Sequence, residues 1–292
     1  ATSWCPLYRG GARYPVPSRP GGPSLSGPGT DRAGAPRASP HTAGTAAGRK
    51  VLWGVGLVAA ALFFTGLGKA PFLDPPEGLH AAIAREMGLL GDWVTPHFNG
   101  VRYFDKPPLL YWLMALSFSL AGPVEWAARL WSALAAFGTA LLTAHVGSML
   151  GSARAGLISG LVVAANLELF LFARVVKPDA LLVFFILVAY TGFLLAYRGG
   201  RPWALVLGYG ALGLTVLTKD PLGAVGPVVS IALFFFLVRE RPPRSRWLSW
   251  TGVGLFLAIV LPWYSVMEWK NHGFLWYTVV DNHFLNFARR RV

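Results

Sequence analysis

Charged residues are scarce in this chain, and cysteine is almost absent. Only 13% of the 292 residues are Asp, Glu, Lys or Arg, whereas soluble domains carry about a quarter. Hydrophobic residues make up 54%, which excludes an ordinary water-soluble fold. The single cysteine, Cys5, has no partner within the chain. A disulfide framework, a cysteine-based zinc site and thiol catalysis are therefore excluded.

Acidic residues are the scarcer of the two charged classes. The chain has 13 acidic and 26 basic residues, which gives a formal net charge of +13. A nucleic-acid-binding protein concentrates its Lys and Arg on one polar folded face. Here the Arg residues stand between long apolar runs, which is typical of a membrane protein. We therefore expect membrane lipids as partners and no nucleic acid.

The first 50 residues lack any periodic apolar pattern. They are rich in Pro, Gly, Ser, Thr and Arg, and such a segment cannot bury enough surface to offset the entropy lost on folding. We predict that residues 1–50 form a disordered basic tail and that residues 51–292 form a transmembrane domain. The first long apolar run begins only at Val51, so no cleaved signal peptide is expected.

Seven apolar runs are long enough to cross a bilayer core of about 30 Å as helices. The predicted class is therefore an all-α, polytopic integral membrane protein with about seven transmembrane helices. These runs are Val51–Gly68, Ala127–Leu150, Ala155–Phe172, Ala180–Tyr197, Pro202–Thr218, Pro221–Val238 and Trp247–Met267.

The apolar segment Pro107–Gly122 determines the predicted orientation. As a helix it would reach only about 24 Å. If it does not span, the Arg-containing loops near residues 154, 198–201 and 239–246 share one side with the basic tail, and the positive-inside rule makes that side cytoplasmic. We interpret the segment as an interfacial helix. The N-terminus is then cytoplasmic, and residues 69–126 form an outer loop of a bacterial inner-membrane protein.

The first half of this outer loop predicts an amphipathic helix. Two prolines precede Glu77 and are suited to opening a helix there. We expect Glu77 and Arg85 to lie opposite the apolar stripe, facing an aqueous cavity, although an ordinary surface helix fits the same pattern. The stripe consists of Leu79, Ile83, Met87 and Leu90.

Acidic and basic residues alternate at three corners on the predicted outer side. Lys106 follows Asp105 just before the interfacial helix and is well placed to bind a lipid phosphate, although a Lys that snorkels to the interface would look the same. We predict one shared site, while isolated ion pairs would also account for each corner. The other two corners hold Arg174, Lys177 and Asp179, and Lys219 and Asp220.

An ordered set of short motifs resembles the GT-C glycosyltransferases of the aminoarabinose lipid A transferase and protein O-mannosyltransferase type. The resemblance covers roughly Phe72 to Phe287, and full-length members are considerably longer, so the chain is expected to be their front portion. The motifs are D-P-P-E-G-L-H-A-A-I-A-R-E-M at Asp74–Met87, G-D-W-V-T-P at Gly91–Pro96, Y-F-D-K-P-P-L-L-Y-W at Tyr103–Trp112, A-A-R-L at Ala127–Leu130, K-P-D at Lys177–Asp179, L-T-K-D-P at Leu217–Pro221, P-W-Y at Pro262–Tyr264 and D-N-H-F at Asp281–Phe284.

This resemblance implies an inverting transfer of a sugar from a polyprenyl-phosphate donor to a lipid A, glycan or protein acceptor. A first-loop acid would be the catalytic base. The family usually has Asp directly before the Glu of this motif, whereas this chain has Pro76, so either Asp74 or Glu77 must supply the carboxylate. Another departure is Asn286, where the family often carries Arg.

The resemblance also assigns residues around the donor phosphate. Lys106 would bind the phosphate, with Lys219 and Arg85 as further phosphate-binding cations. Asp105 and Asp179 would be the acids beside them. His283 matches a position that can share a divalent metal with Asp105, which is the one cofactor implied.

The residues themselves suit this chemistry. A carboxylate can take the proton of an acceptor hydroxyl, and Lys or Arg can stabilise a departing lipid phosphate. A lipid-linked donor needs no Gly-rich nucleotide turn, and the chain has none. Two alternatives stay open. A transporter or lipid flippase would carry ionisable residues near the midplane. Here the spans are almost free of charge, and Glu168 and His145 are exceptions toward the ends of theirs. A catalytically inactive homologue would fit Pro76.

Overall fold

The fold is almost entirely helical in a computed structural model that describes residues 40–73, 75–199, 201–238 and 243–285, without the side chains of residues 40–46, 283 and 284. The helices are α1 (Pro40–Phe64), α2 (Pro76–Leu90), α3 (Leu109–Ala121), α4 (Glu125–Leu150), α5 (Ala153–Ala164), α6 (Leu167–Ala173), α7 (Asp179–Gly199), α8 (Pro202–Thr218), α9 (Leu222–Leu237), α10 (Trp250–Lys270) and α11 (Phe274–Trp276). A 3₁₀ turn covers Arg244–Arg246, a π-helical segment covers Tyr277–Leu285, and two short strands are β1 (His97–Phe98) and β2 (Val101–Arg102).

Four helices of the described chain are long and apolar enough to cross a membrane singly: Ala47–Phe64 within α1, and the whole of α4, α7 and α10. A bent pair of helices, α5 and α6, would make a fifth span. Helices α8 and α9 are equally apolar but have only 17 and 16 residues. The predicted class, an all-α multi-pass membrane protein, is confirmed.

The predicted span Ala155–Phe172 is interrupted by a bend in the structure. Helix α5 ends at Ala164, and α6 begins at Leu167 with a bend of 62° between them. The cause is Asn166, whose side-chain oxygen accepts a hydrogen bond from the Leu169 amide at 3.0 Å. Asn in this role is a strong N-cap, so it starts a new helix in another direction.

The boundary of the predicted tail also needs correction. Helix α1 begins at Pro40, not at Val51. The segment from Pro40 to Lys50 therefore extends the first helix ahead of its apolar stretch. The rest of the predicted tail, residues 1–39, lies outside the described residues.

Helices α7 and α8 pack closely because glycines line their contact. A Cβ atom added to Gly192 would stand 2.5 Å from the Ala204 carbonyl oxygen and 2.8 Å from the Gly208 amide nitrogen. Small residues of this kind let helix backbones approach each other inside a membrane. The α7–α8 contact fixes the relative position of the two helix ends that carry Asp179 and Lys219.

The acid–base corners and the Arg-rich turn lie at opposite ends of the helices. Asp179, at the start of α7, pairs with Lys219 at the end of α8. Near the other end of α7, Arg246 donates a hydrogen bond to the Tyr197 carbonyl oxygen at 3.0 Å. The 18 steps from Asp179 to Tyr197 correspond to about 27 Å of helix. The two groups are therefore separated by nearly the thickness of a bilayer core.

The first loop folds as a helix, a hairpin and a second helix. Helix α3 has 13 residues, or about 20 Å, so it is too short to span, as predicted. Its buried side packs on α2 in a cluster that includes Ile83, Met87, Tyr111 and Met114.

The hairpin was not predicted. Asn99 and Gly100 form its two-residue turn, with φ of 53° and 75°, and β1 pairs antiparallel with β2 so that His97 faces Arg102. The Glu86 carboxylate accepts hydrogen bonds from the backbone amides of both turn residues, at 2.7 and 3.1 Å. An Asn-Gly pair is the strongest local signal for such a turn, so the sequence did contain it.

Candidate active site

A buried ion pair ties the first loop to the helix bundle. Glu77 on α2 and Arg129 on α4 are 0% and 3% exposed. Arg129 Nε and Nη2 donate to the two Glu77 carboxylate oxygens at 2.8 and 2.7 Å. The other Arg129 donors reach the carbonyls of Leu67, Ala70 and Pro71, which follow the end of α1. All five N–H groups of the guanidinium are thereby used.

The Glu77 carboxylate has no free capacity to act as a base. Besides Arg129, it accepts hydrogen bonds from the amides of Leu73 and Val176, each at 2.9 Å. Burial raises the pKa of Glu77, but the hydrogen bonds from Arg129 and the two amides outweigh burial and lower it below the usual range. The expectation that Glu77 faces an aqueous cavity is therefore wrong. Its partners are all internal, so a charged side chain can lie on the buried face of α2.

The first corner of the site is Asp105 with Lys106. Lys106 Nζ lies 3.0 Å from Asp105 Oδ2, and the Tyr103 hydroxyl donates to the same oxygen at 3.2 Å. The Asp105 side chain is 41% exposed, so its carboxylate is accessible to solvent and to a ligand. Pro108 serves as the N-cap of α3, which holds the pair at the start of that helix.

A second ion pair joins the other two corners. Lys219 Nζ, at the end of α8, lies 2.8 Å from Asp179 Oδ1 at the start of α7. Asp179 stands in the first turn of α7, at the positive end of the helix dipole. Asp220 follows Lys219 in the third corner, and its carboxylate accepts a hydrogen bond from the Gly223 amide at 3.0 Å.

His80 on α2 is buried against Tyr111 of α3. Its side chain is 8% exposed, and its Nδ1 is 3.1 Å from the Tyr111 hydroxyl. Burial, followed by the charge of Lys106, lowers the pKa of His80 to about 4, while Asp105 and Asp179 act in the opposite direction. A single imidazole therefore senses the charges of two separate corners. The second and third corners meet through the contact between Lys219 and Asp179, and a single site that joins all three corners stays a prediction.

Three residues of this group had no predicted role: His80, Tyr103 and Tyr111. All three fall inside the quoted motifs, but nothing in a single sequence marks a lone His or Tyr as more than a core residue. The one available signal is spacing, since His80 follows Glu77 by three residues and so shares its side of the helix.

Several predicted site residues are not brought to this group. Arg85 is exposed on α2 and lies about 140° around the helix from His80, so the structure does not support its prediction as a phosphate ligand. Arg174 donates to the carbonyls of Leu62, Thr65 and Gly66 at the end of α1. Asp74 lies outside the described residues.

The predicted metal site stays a prediction. Among the residues that the structure describes, no three His, Cys, Asp or Glu side chains gather as a metal ion would require. The Asp105 carboxylate is engaged by Lys106 and Tyr103. The His283 side chain is outside the described part of the chain.

Acid–base pairs at one end of a bundle of apolar helices define a multi-pass membrane protein with a polar site at the helix ends. The sequence profile of the dolichyl-phosphate-mannose-protein mannosyltransferase family matches residues 105–265. The chain belongs to this family, which confirms the relationship predicted from the motifs.

Similar proteins are found among curated sequences and solved structures. An uncharacterized protein of Aquifex aeolicus is 32% identical over 76% of this chain and 50% of its own length. The undecaprenyl phosphate-alpha-4-amino-4-deoxy-L-arabinose arabinosyl transferase of Aeromonas salmonicida is 29% identical over 81% of this chain and 44% of its own length. The chain thus spans about half the length of the relatives it matches.

The fold is similar to that of a solved transferase. The crystal structure of ArnT from Cupriavidus metallidurans bound to undecaprenyl phosphate superposes with a TM-score of 0.74 at 27% identity. The match covers 82% of this chain and 45% of that protein. The apo structure of the same protein gives a TM-score of 0.73.

Proposed function

We propose that this chain carries the catalytic site of an inverting glycosyltransferase that takes a sugar from a polyprenyl-phosphate carrier. The observation that carries the proposal is the 2.8 Å contact between Lys219 Nζ and Asp179 Oδ1, which brings together two of the three acid–base corners. The family match and the undecaprenyl-phosphate ligand of the Cupriavidus transferase support the donor class.

The two lysines supply the charge that the leaving group needs. As the bond from the anomeric carbon to the phosphate oxygen breaks, its electron pair moves to that oxygen, and the lipid phosphate gains negative charge. Lys106 and Lys219 are partly exposed, and each is held by a carboxylate. A fixed cation near a developing anion stabilises the transition state without reorganisation.

A carboxylate accepts the proton of the acceptor hydroxyl as that oxygen attacks the anomeric carbon. Asp105 and Asp179 are the candidates in the described structure, and Asp74 is the candidate in the segment before α2. Glu77 is withdrawn as the base because its oxygens are saturated by buried donors. A single displacement inverts the anomeric centre and needs no enzyme nucleophile.

The site is proposed to lie on the periplasmic side of a bacterial inner membrane, with the N-terminus in the cytoplasm. Charges of opposite sign are separated along α7, because Arg198 and Arg246 lie at the end away from Asp179. By the positive-inside rule, the Arg-rich end is cytoplasmic. The acceptor is then a lipid A, glycan or protein on the outer face.

The test is transfer by the purified protein reconstituted in vesicles with a radiolabelled polyprenyl-phosphate sugar and an outer-membrane lipid, glycan or protein fraction. We expect label in the acceptor with the wild type and with Glu168→Gln, a control at an acidic residue outside the two proposed ion pairs. Asp105→Asn, Asp179→Asn and Asp74→Asn are compared in parallel, and the base is the residue whose loss abolishes turnover. Label that crosses the bilayer without changing carrier would favour lipid transport instead.

A further inference from the structure

A line of polar groups connects the buried His80 to the exposed Asp105. His80 Nδ1 is 3.1 Å from the hydroxyl of Tyr111, a fully buried residue. At the other end, the Tyr103 hydroxyl donates to Asp105 Oδ2 at 3.2 Å. The two phenols are neighbours, because Tyr103 packs against the buried cluster that contains Tyr111, and each hydroxyl shifts the pKa of the other. Four side chains from α2, α3 and the segment between β2 and α3 thus form one series.

The direction of the hydrogen bonds in this series follows from its outer end. An ionised carboxylate only accepts, so the Tyr103 O–H points to Asp105, and the Tyr103 oxygen is free to accept from Tyr111. The Tyr111 oxygen then accepts from His80, which assigns the proton of a neutral imidazole to Nδ1. Every hydrogen in the series is directed toward Asp105.

We infer that His80 is a positioning residue, which acts through Tyr111 and Tyr103 to hold the Asp105 carboxylate against Lys106 and so presents Lys106 to a lipid phosphate. The inference rests on the proposed function, because it concerns the donor phosphate of that site. It gives this His a role in donor binding that the motif alone does not assign.

Burial and charge favour positioning over proton transfer by His80. The side chain is 8% exposed, which leaves little room for an acceptor to approach. The groups acting on it are Lys106, Asp105, Asp179 and Lys177, together with the Tyr111 hydroxyl. Burial and Lys106 keep the imidazole neutral near neutral pH, and a group that resists protonation is a poor base.

Packing alone is the alternative explanation, because the His80 and Tyr111 rings also touch, with centroids 5.7 Å apart. Two substitutions separate the two roles. His80→Asn keeps an N–H donor close to the Nδ1 position but loses ring volume. His80→Phe keeps a ring of similar size but loses the donor. Tyr111→Phe and Tyr103→Phe remove one oxygen each and leave the fold least disturbed.

The experiment measures the Kd of undecaprenyl phosphate for each variant in lipid nanodiscs, alongside kcat and donor KM in the transfer assay. We expect His80→Phe, Tyr111→Phe and Tyr103→Phe each to weaken binding roughly 3- to 10-fold, the worth of one hydrogen bond. The double variant His80→Phe/Tyr103→Phe should be no weaker than either single variant, since members of one series are not additive. His80→Asn should stay within about 2-fold of the wild type, with kcat retained.

The control is His97→Phe on the hairpin, which should leave Kd unchanged. Equal Kd for the wild type, His80→Phe and Tyr111→Phe would overturn the inference while leaving the proposed function intact. Loss of kcat in His80→Asn with Kd unchanged would also overturn it, because the imidazole would then act as a base. A wild type that binds no undecaprenyl phosphate would instead refute the proposed donor, and the inference with it.

Discussion

Arg129 forms an ion pair with Glu77, which lies 52 residues earlier in the chain, and both side chains are almost fully buried. Together they join the end of α1, the start of α2, α4 and the segment before α7. A buried pair of this kind is costly to break, because one charge is left without its partner. The pair therefore fixes the loop that carries His80 and, through it, the geometry of the site.

Arg129→Ala should destabilise the folded protein by about 3–5 kcal/mol, because it leaves the buried Glu77 carboxylate without its charged partner. Thermal unfolding in detergent is the measurement. Arg85→Ala, which removes an exposed Arg from α2, should leave the midpoint unchanged. Equal midpoints for Arg129→Ala and the wild type would show that the pair is not holding the loop.

The pH dependence of unfolding should depend on His80. Its pKa in the fold is about 4, below the 6.5 of a free imidazole. The unfolded chain therefore binds the proton first as pH falls, and stability is lost between about pH 6.5 and 4, at about 1.4 kcal/mol per pH unit for one proton. His80→Asn should flatten this part of the curve of unfolding midpoint against pH. An unchanged slope in that variant would exclude a buried neutral His80.

Glu77 should add a second dependence of folding stability on pH, at more acidic pH than that of His80. Its folded pKa is lowered, so its contribution is present above the unfolded value of about 4.3 and is lost as pH falls through the folded value. Glu77→Gln should remove this contribution, which the same unfolding experiment extended to lower pH would detect. Persistence of the acidic loss in Glu77→Gln would assign it to other carboxylates.

Gly192→Leu should disrupt the contact between α7 and α8. The added side chain would collide with the Ala204 carbonyl and the Gly208 backbone, and overpacking of this kind costs about 1–3 kcal/mol. The matched control is Gly226→Leu on α9, where nothing lies within 4 Å of an added Cβ. Equal unfolding midpoints for the two variants would argue against close packing of α7 on α8.

The membrane sidedness of the site can be tested by labelling. In a Cys5→Ala background, which removes the single native thiol, Asp105→Cys and Arg244→Cys are compared with an impermeant thiol reagent on intact cells. We expect the first to react from outside and the second only after permeabilisation. Reaction of both from the same side would refute the proposed orientation.

The features that were predicted from the sequence are those with a local signature. Apolar runs predicted the four single spans among the described residues, although seven spans were expected. The short length of the segment after Lys106 indicated a helix that does not cross. Acidic and basic residues next to helix-breaking prolines marked the corners that the structure brings together. Asn99–Gly100 and Asn166 also had local signatures, a hairpin turn and an N-cap, that were not used.

The features that could not be predicted depend on residues far apart in the chain. No periodicity links Glu77 with Arg129, or with the Val176 amide 99 residues away. A helical wheel therefore treats Glu77 as a solvent-facing charge. His80 acquires its surroundings only when α2, α3 and α7 come together, so a sequence alone cannot distinguish it from an ordinary core histidine.

The most direct test of the account is the donor KM of Lys106→Ala and Lys219→Ala in the reconstituted transfer assay. Both lysines are proposed to contact the donor phosphate, and a hydrogen bond to a charged group is worth about 1.5–3 kcal/mol, so we predict a rise in donor KM of roughly 10- to 100-fold for each. Lys69→Ala, outside the cluster, is the control. Donor KM values equal to that of the wild type in both variants would contradict the proposal that these corners form the donor site.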